Sequence, residues 1–536
     1  MKLAYWSYEG PAHFGVARIA NSLRGAHAVF HAPQGDGYVT PIFSMLERSP
    51  ALPQMTTSVV QGRDLAVGSI RLPETLRQVE ATVRPELIIV CASCSTTLLQ
   101  EDLEMTARGA GLQTPVVVFD GNPFRLQENA AAEQLLTTLV RRFARSQALT
   151  PTPSVNLIGP ASLGFHVRPD LIALRRMLQA LGVIVNVVAP LGASVDDLRR
   201  LPAAWVNVAP YRELGPQAVA YLATTFDTPA LTTSPVGVQA TLRWIDDLLT
   251  LLNGVGARLG AAPLTRPPLT AFSLDGQSAP SGVPWFARTA DMESFSSKRA
   301  FLFGDATRTV AVAKFLHDEL DMQIAGAGTY LPAQADWMAA QLAGYLHDDL
   351  LVTTRFQDVA ARIEALLPDL VCGTQMERHS CRKLDVPVVV IAPPTHIENH
   401  LLGYTPILGF AGADYLADTV MTSTKLGMEK HLIDLFGDAG LEYPAAAPGA
   451  EVPVRHEPVA VPAQAVTAHV APADATRPAL TAETIPWTPG AEKLLQKIPF
   501  FVRGRVRKRT AQFALDRGHD TVSEEVLHAA REAFGG

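Results

Sequence analysis

The stretch from residue 155 to 188 constrains this chain more than any other. A β-branched run at 155–158 is broken by Gly159-Pro160, and Leu171, Leu174, Leu178 and Leu181 then recur every three or four residues. Gly182 comes next, and a second β-branched run fills 183–188. Apolar residues at that spacing share one face of a helix. Asp170 is placed to cap the start of that helix. A glycine just past its last turn supplies the left-handed residue that ends it. Strand, helix and strand in this order form a βαβ unit, which implies a parallel sheet. The same grammar returns at 85–91, 115–119, 299–303, 322–325, 369–372 and 386–391. Such strands are buried on both faces, in keeping with 48% apolar and only 18% charged residues.

With 536 residues the chain has room for three or four domains, each able to bury its own core. Pro- and Gly-rich seams near 148–154 and 262–284 divide the body. The expected fold is α/β, with three Rossmann-like parallel-sheet domains at 1–150, 151–290 and 291–443. Residues 444–486 are rich in Ala, Pro and Val without a helical or strand period, and read as an extended linker. A small helical domain follows at 487–536. Five of its seven residues from Arg503 to Arg509 are basic, which suits either a solvated helix face or a docking patch for an acidic surface.

The formal charge of -7 argues against a nucleic-acid protein, which normally carries a basic footprint. The N-terminal MKLAYWSYEG lacks the apolar core of a signal peptide, and no apolar run reaches the roughly 18 residues of a membrane helix. The expectation is a cytoplasmic protein. Four cysteines, Cys91, Cys94, Cys372 and Cys381, are too few for a disulfide framework. They also form only one close pair. Any iron–sulfur site needing four converging thiolates would have to be shared with another chain.

Individual motifs keep two readings. Cys91-Ala-Ser-Cys94 stands between a strand and the helical stretch TTLLQEDLE, as redox thiols do, but also as an ordinary turn does. Cys372 and Cys381 read as small buried apolar residues. There is no GxxxxGK[ST] and hence no Walker-type ATP site. Gly326-Ala-Gly328 follows a strand but lacks the third glycine of a dinucleotide loop, so a tight turn is expected there. Asp36 lies between Gly35 and Gly37 at a strand's carboxyl end, where open α/β sheets bind ligands. It is either a turn former or a carboxylate presented to a ligand. Asp291 could cap a helix or give up a proton. His396 closes the run at 386–391, and histidine and aspartate suit proton donation.

Several strings taken together are more specific: YEGPAHFGVARIANSL, HAPQGD, CASCSTTLLQEDL, IGPASLGFHVR, VVAPLGASVDDLRRLP, GTQMERH and IPWTPGAEKLLQKIPFFVRGRVRKRT. They resemble the B subunits of the light-independent (dark-operative) protochlorophyllide reductases, a nitrogenase-like family. The resemblance covers nearly the whole chain except the linker. It implies a nitrogenase component 1-like fold and an ATP-dependent, ferredoxin-driven reduction of the C17=C18 bond of ring D of protochlorophyllide. It implies a heterotetramer with two copies each of subunits N and B, served by a transient iron–sulfur protein, subunit L, which binds the ATP-Mg. It also implies a [4Fe–4S] cluster held by three cysteines of subunit N and by Asp36 of this chain. Asp291 matches the proposed proton donor, which reaches the opposite half of the tetramer, and His396 matches a histidine near the substrate. Leu426, Gly427 and Met428 match pigment-pocket positions. Arg308 stands where the family is expected to carry histidine, and 420–425 is more polar than usual. The rivals are another nitrogenase-like tetrapyrrole reductase subunit and a non-enzymatic scaffold for cofactor assembly.

Overall fold

The computed structural model describes residues 10–47, 52–62, 71–122, 125–287, 295–296, 298–395, 405–436, 485–496, 507 and 510–533. They divide into two compact units, Met1–Thr424 and Lys425–Gly536.

The first unit carries three parallel sheets. Strands β1 (Ala26–Ala32), β2 (Met55–Val59), β3 (Leu87–Ala92) and β4 (Val116–Phe119) order as β2-β1-β3-β4. Strands β5 (Ser154–Ile158), β6 (Ile184–Ala189), β7 (Val206–Val208) and β8 (Ala230–Leu231) order as β6-β5-β7-β8. Strands β9 (Arg299–Gly304), β10 (Gln323–Thr329), β11 (Leu351–Val352), β12 (Leu370–Gly373) and β13 (Val388–Val390) order as β11-β10-β9-β12-β13. In every sheet the first strand lies inside and the chain winds outward first one way and then the other. This doubly wound pattern opens a crevice at the carboxyl ends, beside the first strand. All seven residues of β1 and all five of β5 are buried, as strands covered by helices on both faces must be.

The βαβ unit at 155–188 forms with one change. Its helix is Val167–Ala180 and Gly182 takes φ +70° just beyond it, as expected. The residue at the helix start, however, is His166 and not Asp170. Asp170 sits within the first turn, fully buried, and accepts hydrogen bonds from Tyr211 Oη at 2.8 Å and from the amides of Ile407 at 2.7 Å and Leu408 at 3.0 Å. Tertiary donors outcompete the local cap.

The expected turn at Gly326–Gly328 is also corrected. Both glycines lie inside β10, where the register with β9 shifts between Ile324 and Gly326. A Cβ on Gly328 would stand 2.6 Å from the Leu351 carbonyl oxygen, and one on Gly326 would stand 3.0 Å from Leu366. The glycines let neighbouring chains approach rather than reverse direction.

Buried polar ties join the first two sheets. The helix Ala12–Ser22 packs on the helix Glu128–Phe143 at Gly15, where a Cβ would meet the Glu128 carbonyl oxygen at 2.2 Å. Arg18 pairs with Glu128 at 3.2 Å and donates to the Ser162 carbonyl at 2.9 Å. Glu133 accepts from the amides of Gly215 at 2.5 Å and Gln217 at 2.6 Å, at the start of the helix Pro216–Phe226. The negative group at that helix N-terminus is well placed for the unsatisfied amides there.

The second unit has its own small core, which includes Ile485, Ala491, Phe513, Val522 and Val526. Arg507, one of the basic residues from 503 to 509, pairs with Glu492 at 2.7 Å and lies 5.2 Å from the Trp487 ring centroid. That cation is used within the module; the other basic residues of the run lie outside the described ones.

Candidate functional site

At the carboxyl end of β1, Pro33 turns the chain into a short 3-10 helix, Gln34–Tyr38, whose turn is closed by the Asp36 amide donating to the Pro33 carbonyl at 3.0 Å. Asp36 is half-buried, and a Cβ on Gly35 would meet no atom within 4 Å. On the adjacent strand β3, Ser93 caps the helix Cys94–Thr97 through a reciprocal pair with Thr96. The two turns are tied together: the Ser93 amide donates to the His31 carbonyl at 3.1 Å, and Thr96 Oγ1 donates to the same carbonyl at 2.5 Å. Both therefore stand at the switch point between β1 and β3, where a doubly wound sheet binds its ligand.

Four further groups gather there. Cys94 is half-buried, and burial followed by the Asp36 carboxylate raises its thiol above the ordinary value, so it stays protonated. His13 is buried, and desolvation lowers it to about 4 against the opposing pull of Asp36. It is a neutral imidazole at physiological pH. His31 Nε2 lies 2.8 Å from Glu101 Oε2, and burial lowers its proton affinity more than Glu101 restores it. The remaining nitrogen of His31, Nδ1, has no hydrogen-bond partner among the described residues. Local sequence pointed to Asp36 and the Cys91–Cys94 pair. It did not point to His13, His31 and Glu101, which only the fold brings near.

The expected helix over TTLLQEDLE is split. One turn ends at Thr97, and Asp102 caps a second helix, Leu103–Gly109, by accepting from the Met105 amide at 2.8 Å. Cys91 is buried in β3 with its thiol pushed up by burial; Cys372 and Cys381 are buried and pushed to about 12. Among the described residues no three His, Cys, Asp or Glu side chains are grouped so as to hold a metal ion by themselves.

Asp291 and His396 lie outside the described residues. Leu426, Gly427 and Met428 fall in the helix Gly409–Phe436, and their side chains also lie outside. The chain on either side of the two site segments is firmly held. Before Asp291, the Ser281 hydroxyl and Gly282 amide donate to Asp414 Oδ1 at 2.6 and 2.9 Å; after it, Phe295 is fully buried. Before His396, the Gln375 amide donates to the Pro394 carbonyl at 3.1 Å and Tyr330 Oη to that of Pro393 at 2.6 Å. Beyond it, His166 Nδ1 donates to the Thr405 carbonyl at 2.6 Å, and Asp170 grips Ile407 and Leu408.

Arg308 follows β9 at the matching edge of the third sheet. It is buried, pairs with Asp305 at 2.7 Å and donates to the Phe165 carbonyl at 2.5 Å. Its positive charge favours ionisation of Asp170 and Glu213, which burial opposes. Glu213 is raised to about 7 by burial and by Asp305, and accepts from the Thr307 hydroxyl at 2.6 Å.

Comparison with known proteins supplies the deciding observation. Residues 11–425 match the nitrogenase component 1 type oxidoreductases, and residues 487–531 match the proto-chlorophyllide reductase 57 kD subunit. The B subunit of light-independent protochlorophyllide reductase from Roseiflexus sp. (strain RS-1) is 60% identical, and that from Chloroflexus aggregans (strain MD-66 / DSM 9485) is 61% identical; each match covers 100% of both chains. The chain belongs to the family of light-independent protochlorophyllide reductase B subunits. Members of this family are oxidoreductases of the nitrogenase-like class. A solved structure described as nitrogenase Cp1 at pH 6.5 has the same fold, with a TM-score of 0.63, 16% identity, and coverage of 80% of this chain and 94% of that one. Among the described residues of this family member, no helix is long and apolar enough to cross a membrane.

Proposed function

We propose that this chain is the B subunit of the catalytic component that reduces the C17=C18 double bond of protochlorophyllide to give chlorophyllide a, in light-independent (bacterio)chlorophyll synthesis. The observation that carries the reading is the full-length 60% identity to relatives of that name. On this reading the three sheets belong to domains bounded near 150, 290 and 443, and the cytoplasm is the working compartment.

The donor set fits a shared [4Fe–4S] cluster. This chain offers one carboxylate, Asp36, at an open sheet edge, and the family resemblance assigns the remaining ligands to three cysteines of subunit N. A cluster bound there would supply electrons one at a time, received from the ATP-hydrolysing subunit L. Asp36 contributes a hard oxygen where thiolate is the rule, which favours a low potential suited to a ring double bond.

The reduction takes up two electrons and two protons. Asp291 gives one proton to a ring D carbon, and the substrate's own propionate assists with the other. Desolvation by the pigment would hold the Asp291 proton until it is needed. His396 lies against the substrate and orients it. Leu426, Gly427 and Met428 contribute apolar wall to a pocket for a large flat macrocycle.

The test is co-expression with subunits N and L, followed by dithionite, Mg-ATP and protochlorophyllide. The chlorophyllide absorbance band is expected in the wild-type assembly. It should be lost in Asp291→Ala while the iron–sulfur absorbance persists. Absence of product from the complete wild-type system would favour the assembly-scaffold reading instead.

A further inference from the structure

A cleft of about 410 Å³, with Asp36 not in its lining, opens at the carboxyl edge of the second sheet. Arg212 follows β7, and Thr232 and Thr233 follow β8. The opposite wall is the first helix of the third sheet, Ala306–Asp318, which contributes Lys314, and Trp337 stands beside it. Arg243, from the helix Val238–Leu259, reaches the same space. The cleft thus combines two features of ligand sites, the carboxyl edge of a parallel sheet and a boundary between domains.

Two of its three cations are held by neutral groups. Arg212 Nε donates to Gln334 Oε1 at 3.1 Å, with the guanidinium 5.2 Å from the Trp337 ring centroid. Lys314 Nζ donates to Gln341 Oε1 at 2.9 Å. Arg243 forms no ion pair among the described residues. A guanidinium has five N–H donors and an ammonium three, so most of this donor capacity is unspent.

The acids of the wall are placed differently. Both oxygens of Glu319 accept amides, from Val238 and Gln239, each at 3.0 Å. Asp318 accepts from Tyr345 Oη at 3.0 Å and lies 2.9 Å from His317 Nδ1. Asp247, at the exposed rim, is the acid without a partner among the described residues. Three acids thus share the lining with the three cations, and Lys314 and Arg243 feel the charges of Asp318 and Glu319, but the carboxylates of Asp318 and Glu319 already accept the bonds named, which leaves Asp247 as the uncommitted acid among the described residues.

We propose that this cleft binds a multiply charged small anion bearing phosphate or carboxylate groups, anchored by Arg212, Arg243 and Lys314. Asp36 does not line this cleft, and a ligand bound here would act as an effector.

The test is isothermal titration of the full-length chain with pyrophosphate, citrate and ADP in turn. Saturable binding of at least one is expected, weakening as salt is raised. Arg243→Gln and Lys314→Gln should each lower that affinity about tenfold, the worth of one charge-assisted hydrogen bond. Preference for pyrophosphate or for citrate assigns the anion class, and tighter binding of ADP shows that a ring adds contacts in the cleft. If Lys314→Gln fails to fold, Arg243→Gln decides, because its side chain is exposed. No binding of any probe at millimolar concentration, or affinity unchanged in the variants, overturns the proposal.

Discussion

Arg308 donates a 2.5 Å hydrogen bond to the carbonyl of Phe165, 143 residues away in sequence, and lies 5.4 Å from the Phe165 ring centroid. The first helix of the third sheet is thereby pinned to the loop that precedes the first helix of the second. Removing the cation would leave Asp305, Asp170 and Glu213 buried without it. Arg308→Ala should cost about 3–5 kcal/mol, as for breaking a buried ion pair, read by chemical denaturation of the full chain. Arg308→Lys should recover only part, because a point charge cannot serve the Asp305 carboxylate and the Phe165 carbonyl as a planar fork does.

The same cluster makes stability depend on pH. Glu213 keeps its proton to about 7 in the fold, whereas its ordinary value is 4.5. Between these limits the folded chain binds more protons than the unfolded one, so this group's contribution is full below pH 4.5 and falls as pH rises toward 7. Glu213→Gln should remove that slope. Melting curves at pH 5 and pH 8 should show the variant gaining on the parent at the higher pH. Equal differences at the two pH values would refute the assignment. His13 and His166, each lowered to about 4, act in the opposite sense and lose stability as pH falls from 6.5.

Gly15 is where two helices touch backbone to backbone. Gly15→Ala places a methyl group 2.2 Å from the Glu128 carbonyl oxygen and 2.7 Å from the Ala132 nitrogen. The helices must part, at a cost of about 1–3 kcal/mol or more. The Tm should drop by several degrees, and the drop should far exceed that of Gly109→Ala, where the added carbon meets nothing within 4 Å.

Asp36 and Cys94 share one sheet edge, but only the first is proposed as a ligand. In the assembled complex, Asp36→Ala should lower bound iron or alter the cluster's spectrum, whereas Cys94→Ala should leave both unchanged. Asp36→Cys should shift the cluster potential. An unshifted potential would remove the argument for an oxygen ligand.

Local sequence revealed most of the strands, because a parallel strand is continuous apolar chain bounded by Gly and Pro. The run expected at 155–158 is observed as Ser154–Ile158, and that at 299–303 as Arg299–Gly304. It failed where a distant partner decides. Asp170 has the form of a cap, yet amides more than 230 residues away claim its carboxylate. Gly326 and Gly328 have the form of a turn, but close neighbours require them inside a strand. At the candidate site, a carboxyl-edge aspartate could be found from its flanking glycines. The His31–Glu101 pair could not, since the two residues are 70 positions apart and nothing in either neighbourhood marks them as partners.

The three sheets repeat one winding rule, and each reversal leaves a hollow above its central strands. The proposed cluster site draws on the hollow beside Asp36, while charged cleft walls occupy the edge of the second sheet and the Arg308 cluster fills part of the third. A lineage built on this plan holds sockets in reserve: new control can be acquired by altering side chains over one sheet without disturbing the redox centre over another.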